Sequence, residues 1–550
     1  MLRRTLKAGV NRLVRFPKSR LLDPDRVSRS LPDARGARPK AIVIGSGFGG
    51  LAAAIRLSVR GYDVEVLERL PTIGGRARVH RIDGYTFDAG PTVITAPKLL
   101  EELWELCGKK LEDHIELRDI TPFYQIRFDD GNVFNYTGDP QKMRDEVRRF
   151  SPRDVAGYDE FIAQSERIFK VGFEALAHVP FSKATDMLRI VPPMMQLESY
   201  RTVYGLVAKF IKNEKVRQVL SFHPLLVGGN PFATSSIYTL IAYLERKWGV
   251  HFAMGGTGAL VEGLEALLKE RSVSVRTEAE VQEIEIEAGH VTGVRLTTGE
   301  RLHADIVISN GDSAWTYRYL IRPEHRKHWS DRRIERSRFS MSLFVWYFGT
   351  SKVYENVEHH TILLGPRYKA LLADIFDRKI LADDFSLYLH RPTKTDPSLA
   401  PEGCDAFYVL SPVPHLDSAT DWSVMTERYR ERIQSYLENH LMPGLSEHLT
   451  VSQTLTPIGF ERDYLSFKGS AFSFEPVLQQ SAYLRPHNKS EDIDGLYFVG
   501  AGTHPGAGLP GVLSSARVLD TVVPDPQSVA TTQARTHLAS SSVHNRTKDA

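Results

Sequence analysis

The sequence predicts an α/β protein in which a Rossmann-like dinucleotide-binding domain is interleaved with an α+β domain. First, its 550 residues exceed the length at which one hydrophobic core usually stops growing. Second, the apolar run AIVIG leads directly into the glycine turn GSGFGG and then into a helical pattern at 51–60. Third, another apolar strand runs into a glycine-rich turn at 494–516. We therefore expect a nucleotide-binding domain that is interrupted by long insertions.

Composition excludes several classes of protein. Hydrophobic residues make up 42% and charged residues 25% of the chain, which is an ordinary globular balance. A formal net charge of +3 is too small to indicate a nucleic-acid partner, and no nucleic-acid-binding motif is present. Cys107 and Cys404 provide neither a disulfide framework nor a metal-ligand pair, so we expect a reducing, cytoplasmic location. No apolar stretch approaches the roughly 20 residues of a transmembrane helix, so any membrane contact should be peripheral.

The basic segment 1–39 allows several interpretations. On a helical wheel an arc of roughly 120° is shared by Leu2, Leu6, Gly9, Val10, Leu13 and Phe16. Pro17 would end this short amphipathic helix, which would suit an anionic membrane surface. An unstructured extension, a mis-assigned start and a cleaved transit peptide are the competing interpretations.

The rest of the chain divides by pattern into nucleotide-binding and inserted segments. The first insertion should be mainly helical, and the second alternates aromatic, strand-like runs with polar helices. Short strands with turn residues at 272–310 predict a small β-meander. In chain order the expected segments are the nucleotide-binding part 40–96, the helical insertion 97–270, the meander part 271–321, the second insertion 322–488, the nucleotide-binding part 489–523 and a disordered tail 524–550.

The glycine motif after the first strand has the spacing of a dinucleotide site. Gly45 permits the tight turn, Gly47 lets the backbone approach a pyrophosphate, and Gly50 allows close helix packing. Glu68 ends the second strand, roughly 20 residues further on, where a ribose hydroxyl contact is expected. An acidic residue there disfavours a 2′-phosphate, but this motif alone does not separate FAD from NAD.

The next motifs carry a resemblance to a known group of flavoproteins. Gly75 and Arg76 follow Glu68 closely, and TFDAGPTVI occupies 86–94. Together they resemble the amine-oxidase and carotenoid-desaturase type of flavoprotein. In that group such glycines and an arginine line the diphosphate and ribityl region of the flavin. The resemblance implies FAD as the cofactor.

The C-terminal turn gives the most specific resemblance. DGLYFVGAGTHPGAGLPGVLSSA at 494–516 is similar to the signature of the bacterial-type phytoene desaturases. LLVGGNPFATSSIYTLIAYLE, WGVHFAMGGTGALVEGL and DFSLYLHRPTKTDPSLAPEGC also resemble that family, so the likeness runs from about residue 40 to 520. It implies that the backbone of Val281 meets the adenine and that Gly500, Gly511 and Val512 lie near the isoalloxazine.

Family membership would imply a long apolar polyene as substrate. Such a molecule has no polar handle, so recognition requires an apolar tunnel, for which segments 181–210 and 339–348 are candidates. Desaturation needs a hydride acceptor, which a flavin provides, and a group that takes a proton. Asp186 and Arg189, one helical turn apart beside an apolar stretch, are the candidates; a surface ion pair is the alternative interpretation.

Histidines add little at this stage. His504 lies in the flavin-proximal turn and is a further candidate for the acid or base, although packing or hydrogen bonding is its expected role. His359 and His360 are adjacent and not at helical ligand spacing, so no metal site is predicted.

The sequence also bears on the electron acceptor. A single complete dinucleotide fingerprint does not imply a separately bound nicotinamide nucleotide, so a membrane quinone or oxygen is the expected electron acceptor.

The residues leave other functions open. A desaturase for a later or shorter-chain carotene, or a redox-neutral carotene isomerase, shares these motifs. A prenyl-lipid escort protein should have eroded glycines, and an amine oxidase should have an aromatic cage, which the sequence does not identify.

Overall fold

A computed structural model describes residues 38–529, and the structural statements below concern that part of the chain. The proposed basic helix within 1–39 and most of the expected tail lie outside the described residues. Between residues 38 and 529, no helix combines the length and the apolar character needed to cross a bilayer.

The strands fall into one parallel sheet, one mixed sheet and three smaller antiparallel sheets. In chain order they are β1 (Lys40–Ile44), β2 (Asp63–Leu67), β3 (Val79–Ile82), β4 (Tyr85–Asp88), β5 (Leu117–Asp119), β6 (Tyr124–Phe128), β7 (Val133–Tyr136), β8 (His251–Ala253), β9 (Ser274–Arg276), β10 (Val281–Glu287), β11 (His290–Leu296), β12 (Arg301–His303), β13 (Ile306–Ser309), β14 (Ser342–Thr350), β15 (His360–Leu364), β16 (Leu387–His390), β17 (Asp405–Val413), β18 (Leu449–Leu455) and β19 (Leu496–Phe498).

The α-helices pack against the parallel sheet and the mixed sheet. In chain order they are α1 (Phe48–Arg60), α2 (Pro97–Leu106), α3 (Pro140–Phe150), α4 (Val155–Phe169), α5 (Ala184–Gln196), α6 (Val203–Phe210), α7 (Glu214–Ser221), α8 (Leu240–Trp248), α9 (Gly256–Glu270), α10 (Ser313–Trp315), α11 (Asp331–Arg336), α12 (Tyr368–Ala373), α13 (Trp422–His440), α14 (Leu445–His448), α15 (Pro457–Tyr464) and α16 (Leu509–Val522).

The parallel sheet has the order β19-β13-β1-β2-β9 and forms the predicted nucleotide-binding domain. Helix α1 follows β1 and is buried along nearly its whole length, because its alanines let the sheet and α16 approach from opposite sides. Gly61, with φ of +102°, accepts the left-handed conformation that ends α1 and returns the chain to β2. The predicted α/β class with a Rossmann-like core is confirmed.

The expected meander at 272–310 is wrong at both ends. Segment SVSVRT forms β9 and segment ADIVISN contains β13, and both join the parallel sheet. Strands β10, β11 and β12 alone form the antiparallel meander, which packs on the face of the sheet opposite α1. Local patterns identify a strand correctly, but a strand's partners come from distant parts of the chain.

The seven-stranded mixed sheet has the order β18-β14-β17-β16-β15-β6-β7 and combines strands from both insertions. Along β14, side chains alternate between two cores, as a period of two requires. Leu343, Val345 and Tyr347 face the core beside the helical insertion, while Phe344 and Trp346 face α13. The sheet therefore separates a cavity-facing layer from an outer layer.

Two helices assigned to the helical insertion pack instead in the nucleotide-binding core. Helices α2 and α9 place Trp104 and Leu264 against the same core as α1. At the other end, the backbone of Pro524 accepts hydrogen bonds from Arg60 and Tyr62, both at 2.8 Å. Residue 524, the first of the expected tail, therefore lies against the nucleotide-binding domain.

Candidate active site

The glycine turn between β1 and α1 leaves open backbone space at the carboxyl end of the parallel sheet. Gly45 has φ of +90°, which favours glycine. A Cβ on Gly50 would lie 2.1 Å from the carbonyl oxygen of Gly45, and one on Gly49 would lie 2.6 Å from Oδ1 of Asn310. The turn therefore requires glycine, and Gly47 and Gly49 line a cavity into which the N-terminus of α1 opens. Such a helix end favours an anionic phosphate.

Asn310 is a member of this turn that the sequence analysis did not select. It follows β13, and its side chain would lie 3.0 Å from a Cβ on Gly47 and 2.9 Å from one on Gly500. It thus joins the N-terminal and C-terminal glycine turns. Its position at the end of a parallel strand beside β1, where ligands of such sheets bind, is the signal that could have identified it.

Glu68 is buried in the cavity wall at the end of β2. The backbone N–H and the hydroxyl of Ser46 donate to Glu68 Oε2 at 2.9 and 2.6 Å, and Leu70 N–H donates to Oε1 at 2.9 Å. The acid therefore fixes the glycine turn and remains at the cavity wall. Val281 lines the same part of the cavity. It lies beside Glu68 because the nearby Ala279 N–H donates to the carbonyl oxygen of Glu68 at 2.8 Å.

Gly75 and Arg76 lie directly across the turn from α1. A Cβ on Gly75 would lie 3.2 Å from the Cα of Gly47. Burial lowers the pKa of Arg76, although Asp312 opposes this effect, and Arg76 lines the cavity. Burial also raises the pKa of Asp312, whose Oδ2 is buried without a hydrogen-bond partner among the described residues. A buried cation and an unpaired carboxylate oxygen fit a ligand with both phosphate and hydrogen-bond donors.

The C-terminal glycine turn completes this part of the cavity. Gly500, with φ of +95°, donates its N–H to the hydroxyl of Ser515 at 2.8 Å. A Cβ on Gly511 would lie 2.4 Å from the carbonyl oxygen of Gly506. Gly500, Gly511 and Val512 line the cavity where α16 begins. The glycine cradle, the helix N-terminus and Arg76 together fit a flavin dinucleotide.

The cavity continues beyond the cradle as an apolar tunnel, with a total volume of about 860 Å³. Both predicted segments contribute. The wall from segment 181–210 includes Phe181, Met187, Ile190 and Met194, and the wall from segment 339–348 includes Met341, Leu343 and Val345. The tunnel thus joins the cofactor cradle to an apolar space that opens near α5.

Asp186 and Arg189 lie on α5 but point away from the tunnel. Asp186 accepts from the backbone N–H of Lys183 at 3.2 Å and caps the helix, and Arg189 lies 3.7 Å from it. The Arg189 side chain is 61% exposed. Their neighbours Met187 and Ile190 line the cavity, whereas within residues 38–529 neither charged side chain does. Their role as acid and base stays a prediction.

Glu245 is a buried carboxylate in the tunnel wall that the sequence analysis missed. The hydroxyl of Tyr124 donates to Oε1 at 2.7 Å, and His223 Nε2 lies 3.1 Å from Oε2. In the sequence it belongs to the charged run ERK, which is typical of a solvated face. Helical spacing could have indicated its position in the wall, because Glu245 lies one helical turn after Ile241, and Ile241 and the adjacent Leu244 also line the tunnel.

His504 has the hydrogen-bonding role expected for it. Its Nε2 lies 3.2 Å from the carbonyl oxygen of Leu176, and its ring contacts Phe181 edge-on at 4.9 Å. Burial lowers the pKa of His504 to about 4, so the ring is neutral near pH 7 and donates this bond. This hydrogen bond therefore connects the C-terminal glycine turn to Leu176 in the helical insertion.

Comparison with known proteins agrees with this geometry. The family described as flavin containing amine oxidoreductase matches residues 48–518. A lycopene-forming phytoene desaturase of Pantoea ananas is 49% identical over 86% of this chain and 97% of its own length. A neurosporene-forming phytoene desaturase of Rhodobacter capsulatus is 45% identical over 88% of this chain and 94% of its own length.

Solved structures show the same fold at much lower identity. Cyclohexylamine oxidase from Brevibacterium oxydans matches with a TM-score of 0.56 at 16% identity, over 90% of this chain and 100% of its own. An oxidoreductase from Methanosarcina mazei matches with a TM-score of 0.56 at 18% identity, over 87% and 98%. The fold is thus that of the FAD-binding amine-oxidase type, and the chain belongs to the flavin-containing amine oxidoreductase family, among the bacterial phytoene desaturases.

Proposed function

We propose that this protein is an FAD-dependent phytoene desaturase that introduces successive double bonds into phytoene to give neurosporene or lycopene. The observation that carries the proposal is the continuity of the cavity, which joins a dinucleotide cradle to an apolar tunnel. The substrate class is also the one in the names of relatives 45–49% identical to this chain. Apolar area removed from water, at roughly 25 cal/mol per Å², would supply the binding energy.

The chain's own part in the reaction is to hold the target bond and to receive a proton. FAD, when bound, supplies the acceptor for the hydride of one carbon. The hydrogen of the adjacent carbon leaves as a proton, for which the chain offers two candidates. Glu245 is buried in the tunnel wall, and Asp186 with Arg189 lies on the outer side of α5. Position in the tunnel favours Glu245.

A membrane surface is the proposed source of the substrate. Helix α5 carries apolar side chains that are exposed to solvent, and some of them also line the tunnel. Leu188 is 71%, Met195 56% and Val191 46% exposed, and Val191 and Met195 also line the tunnel. An exposed apolar patch at a tunnel mouth supports docking on a bilayer, where a polyene dissolves. A membrane quinone, or oxygen, would then reoxidise the flavin.

Co-expression with a phytoene-producing pathway in a host without carotenoids tests the proposal. The expected result is loss of hydrogen pairs by mass and new visible absorption in the pigment extract, which also counts the steps. A 4,4′-diapophytoene desaturase of Methylomonas is 33% identical to this chain. If phytoene stays unchanged while the C30 analogue is desaturated, the shorter-chain alternative is correct. An isomerase would leave the mass unchanged.

A further inference from the structure

Three histidines that are far apart in sequence meet behind the tunnel wall. His360 opens β15 and pairs with His390 at the end of β16, and His359 directly precedes β15. One ring nitrogen from each lies within 4.8 Å of one from each of the others. All three residues are at most 3% exposed. The adjacent pair predicted no metal site because the third histidine arrives only through strand pairing.

In each ring one nitrogen lies close to a polar atom of a neighbour. His359 Nδ1 lies 2.6 Å from Thr395 Oγ1, and His360 Nδ1 lies 2.7 Å from the hydroxyl of Tyr388. His390 Nδ1 lies 3.3 Å from His360 Nδ1. The separation of 3.3 Å between Nδ1 of His360 and Nδ1 of His390 is close to that of two nitrogens bound to one tetrahedral ion, while the hydroxyl of Thr395 orients the ring of His359.

The other nitrogens of the three rings are buried and unpaired. Among residues 38–529, Nε2 of His359, His360 and His390 has no hydrogen-bond partner. A buried polar atom is normally paired, so the unpaired nitrogens of this cluster require an explanation.

We propose that His359, His360 and His390 bind one transition-metal ion, with Zn²⁺ as the species that fits best. Neutral imidazole suits zinc, and a tetrahedral site with nitrogens at about 2.0–2.1 Å places them about 3.4 Å apart. Nδ1 of His360 and Nδ1 of His390 already lie 3.3 Å apart, and ring rotation must close up to about 1.4 Å of the widest nitrogen–nitrogen separation in the cluster, which is 4.8 Å at most.

The surroundings indicate a structural ion rather than one in contact with substrate. The rings pack against Phe252 and Tyr124, at 4.8 Å from His359 and 5.8 Å from His360. None of the three lines the tunnel in the described part of the chain, whereas Tyr388, which is bonded to His360, does. A hydroxide ligand, or the deprotonated hydroxyl of Tyr388, would offset part of the positive charge of the ion. The ion would then hold β15, β16 and Tyr388 in fixed positions behind the tunnel.

Metal content of the untagged flavoprotein, purified from zinc-supplemented cells, tests this site without any assay of activity. We expect about one zinc per chain by mass spectrometry in the wild type. His360→Gln and His390→Gln should each hold less than about a tenth of that. His440→Gln, at an exposed histidine on α13, is the matched control and should keep the metal.

The flavin content of each variant shows whether it has folded. If the variants do not fold, measurements on the wild type alone decide whether the metal site exists. A zinc chelator should remove the metal and lower the melting temperature, and added zinc should restore it. A wild type that holds less than about a tenth of an ion per chain, even after incubation with zinc, would overturn the proposal. Equal metal content in the wild type and in both folded cluster variants would overturn it as well.

Discussion

Glu245 and Tyr124 share a buried hydrogen bond of 2.7 Å at the tunnel wall, with the carboxylate accepting. Replacing the acid by Glu245→Gln preserves its shape and one acceptor but removes its ability to take a proton. Because general bases contribute typically 10²–10⁴-fold, we expect turnover of phytoene to fall by about a hundredfold or more. Flavin content should stay at the wild-type level. Single-turnover flavin reduction in membranes with phytoene measures the effect.

Two other variants make that experiment decisive. Glu262→Gln, at a glutamate on α9 whose side chain is 68% exposed, should retain full turnover. Asp186→Asn compares the second candidate in the same assay. Wild-type turnover in Glu245→Gln together with a large loss in Asp186→Asn would transfer the proton acceptor to α5.

Gly50 is the position in the cofactor cradle with the least space for a side chain. Gly50→Ala would place a Cβ 2.1 Å from the carbonyl oxygen of Gly45, so the turn must open and the helix N-terminus must move. We expect the purified variant to lose most of its flavin, seen as a colourless protein. Gly205→Ala is the control, because its Cβ would meet a side-chain hydroxyl at 3.0 Å and no backbone atom outside its own helix. A yellow Gly50→Ala protein with full flavin occupancy would contradict the assigned cradle.

Local spacing explains why the cofactor cradle was predictable. Gly45, Gly47 and Gly50 and the acid Glu68 belong to one β-α-β unit, so their separation in sequence sets their separation in space. Apolar segments also predicted the tunnel, because a polyene site needs apolar walls. Along β14, however, only alternate residues face the tunnel, which a continuous apolar run does not reveal.

The remaining features depend on contacts between distant parts of the chain. Asn310 meets the glycine turn because β13 pairs with β1, and His390 meets His360 because β16 pairs with β15. Glu245 belongs to a charged run whose polar appearance conceals that its helix face is buried. In each case the residue type is visible in the sequence, but its partner is set by tertiary pairing that local patterns do not encode.

Asp88 should make stability depend on pH in the less common direction. Burial raises its pKa to about 6, although Thr257 donates to it from both N–H and hydroxyl at 2.8 Å. Because the folded state binds this proton more tightly than the unfolded chain, Asp88 costs stability above pH 6 and the cost disappears as pH falls towards 4. Two pKa units correspond to about 3 kcal/mol as an upper estimate.

The variant Asp88→Asn isolates this contribution, because the amide cannot ionise. The melting temperature of the wild type, relative to that of Asp88→Asn, should rise as the pH is lowered from 7 to about 4.5, within the window set by the raised pKa. Thermal unfolding followed by flavin fluorescence across this range gives the comparison. A difference that stays constant with pH would show that the carboxyl of Asp88 titrates alike in the folded and unfolded chain.

The exposed apolar side of α5 predicts where the protein meets a bilayer. Val191→Asp puts a charge at the tunnel mouth, where it must be desolvated on docking, so binding to anionic vesicles should weaken by about tenfold or more. Val424→Asp on α13 is the matched control, since Val191 and Val424 are 46% and 49% exposed and Val424 does not line the tunnel. Flotation of the flavoprotein with vesicles measures binding. Equal flotation of both variants would place the membrane contact elsewhere, whereas loss in Val191→Asp alone, with unchanged flavin content, would assign it to the tunnel mouth.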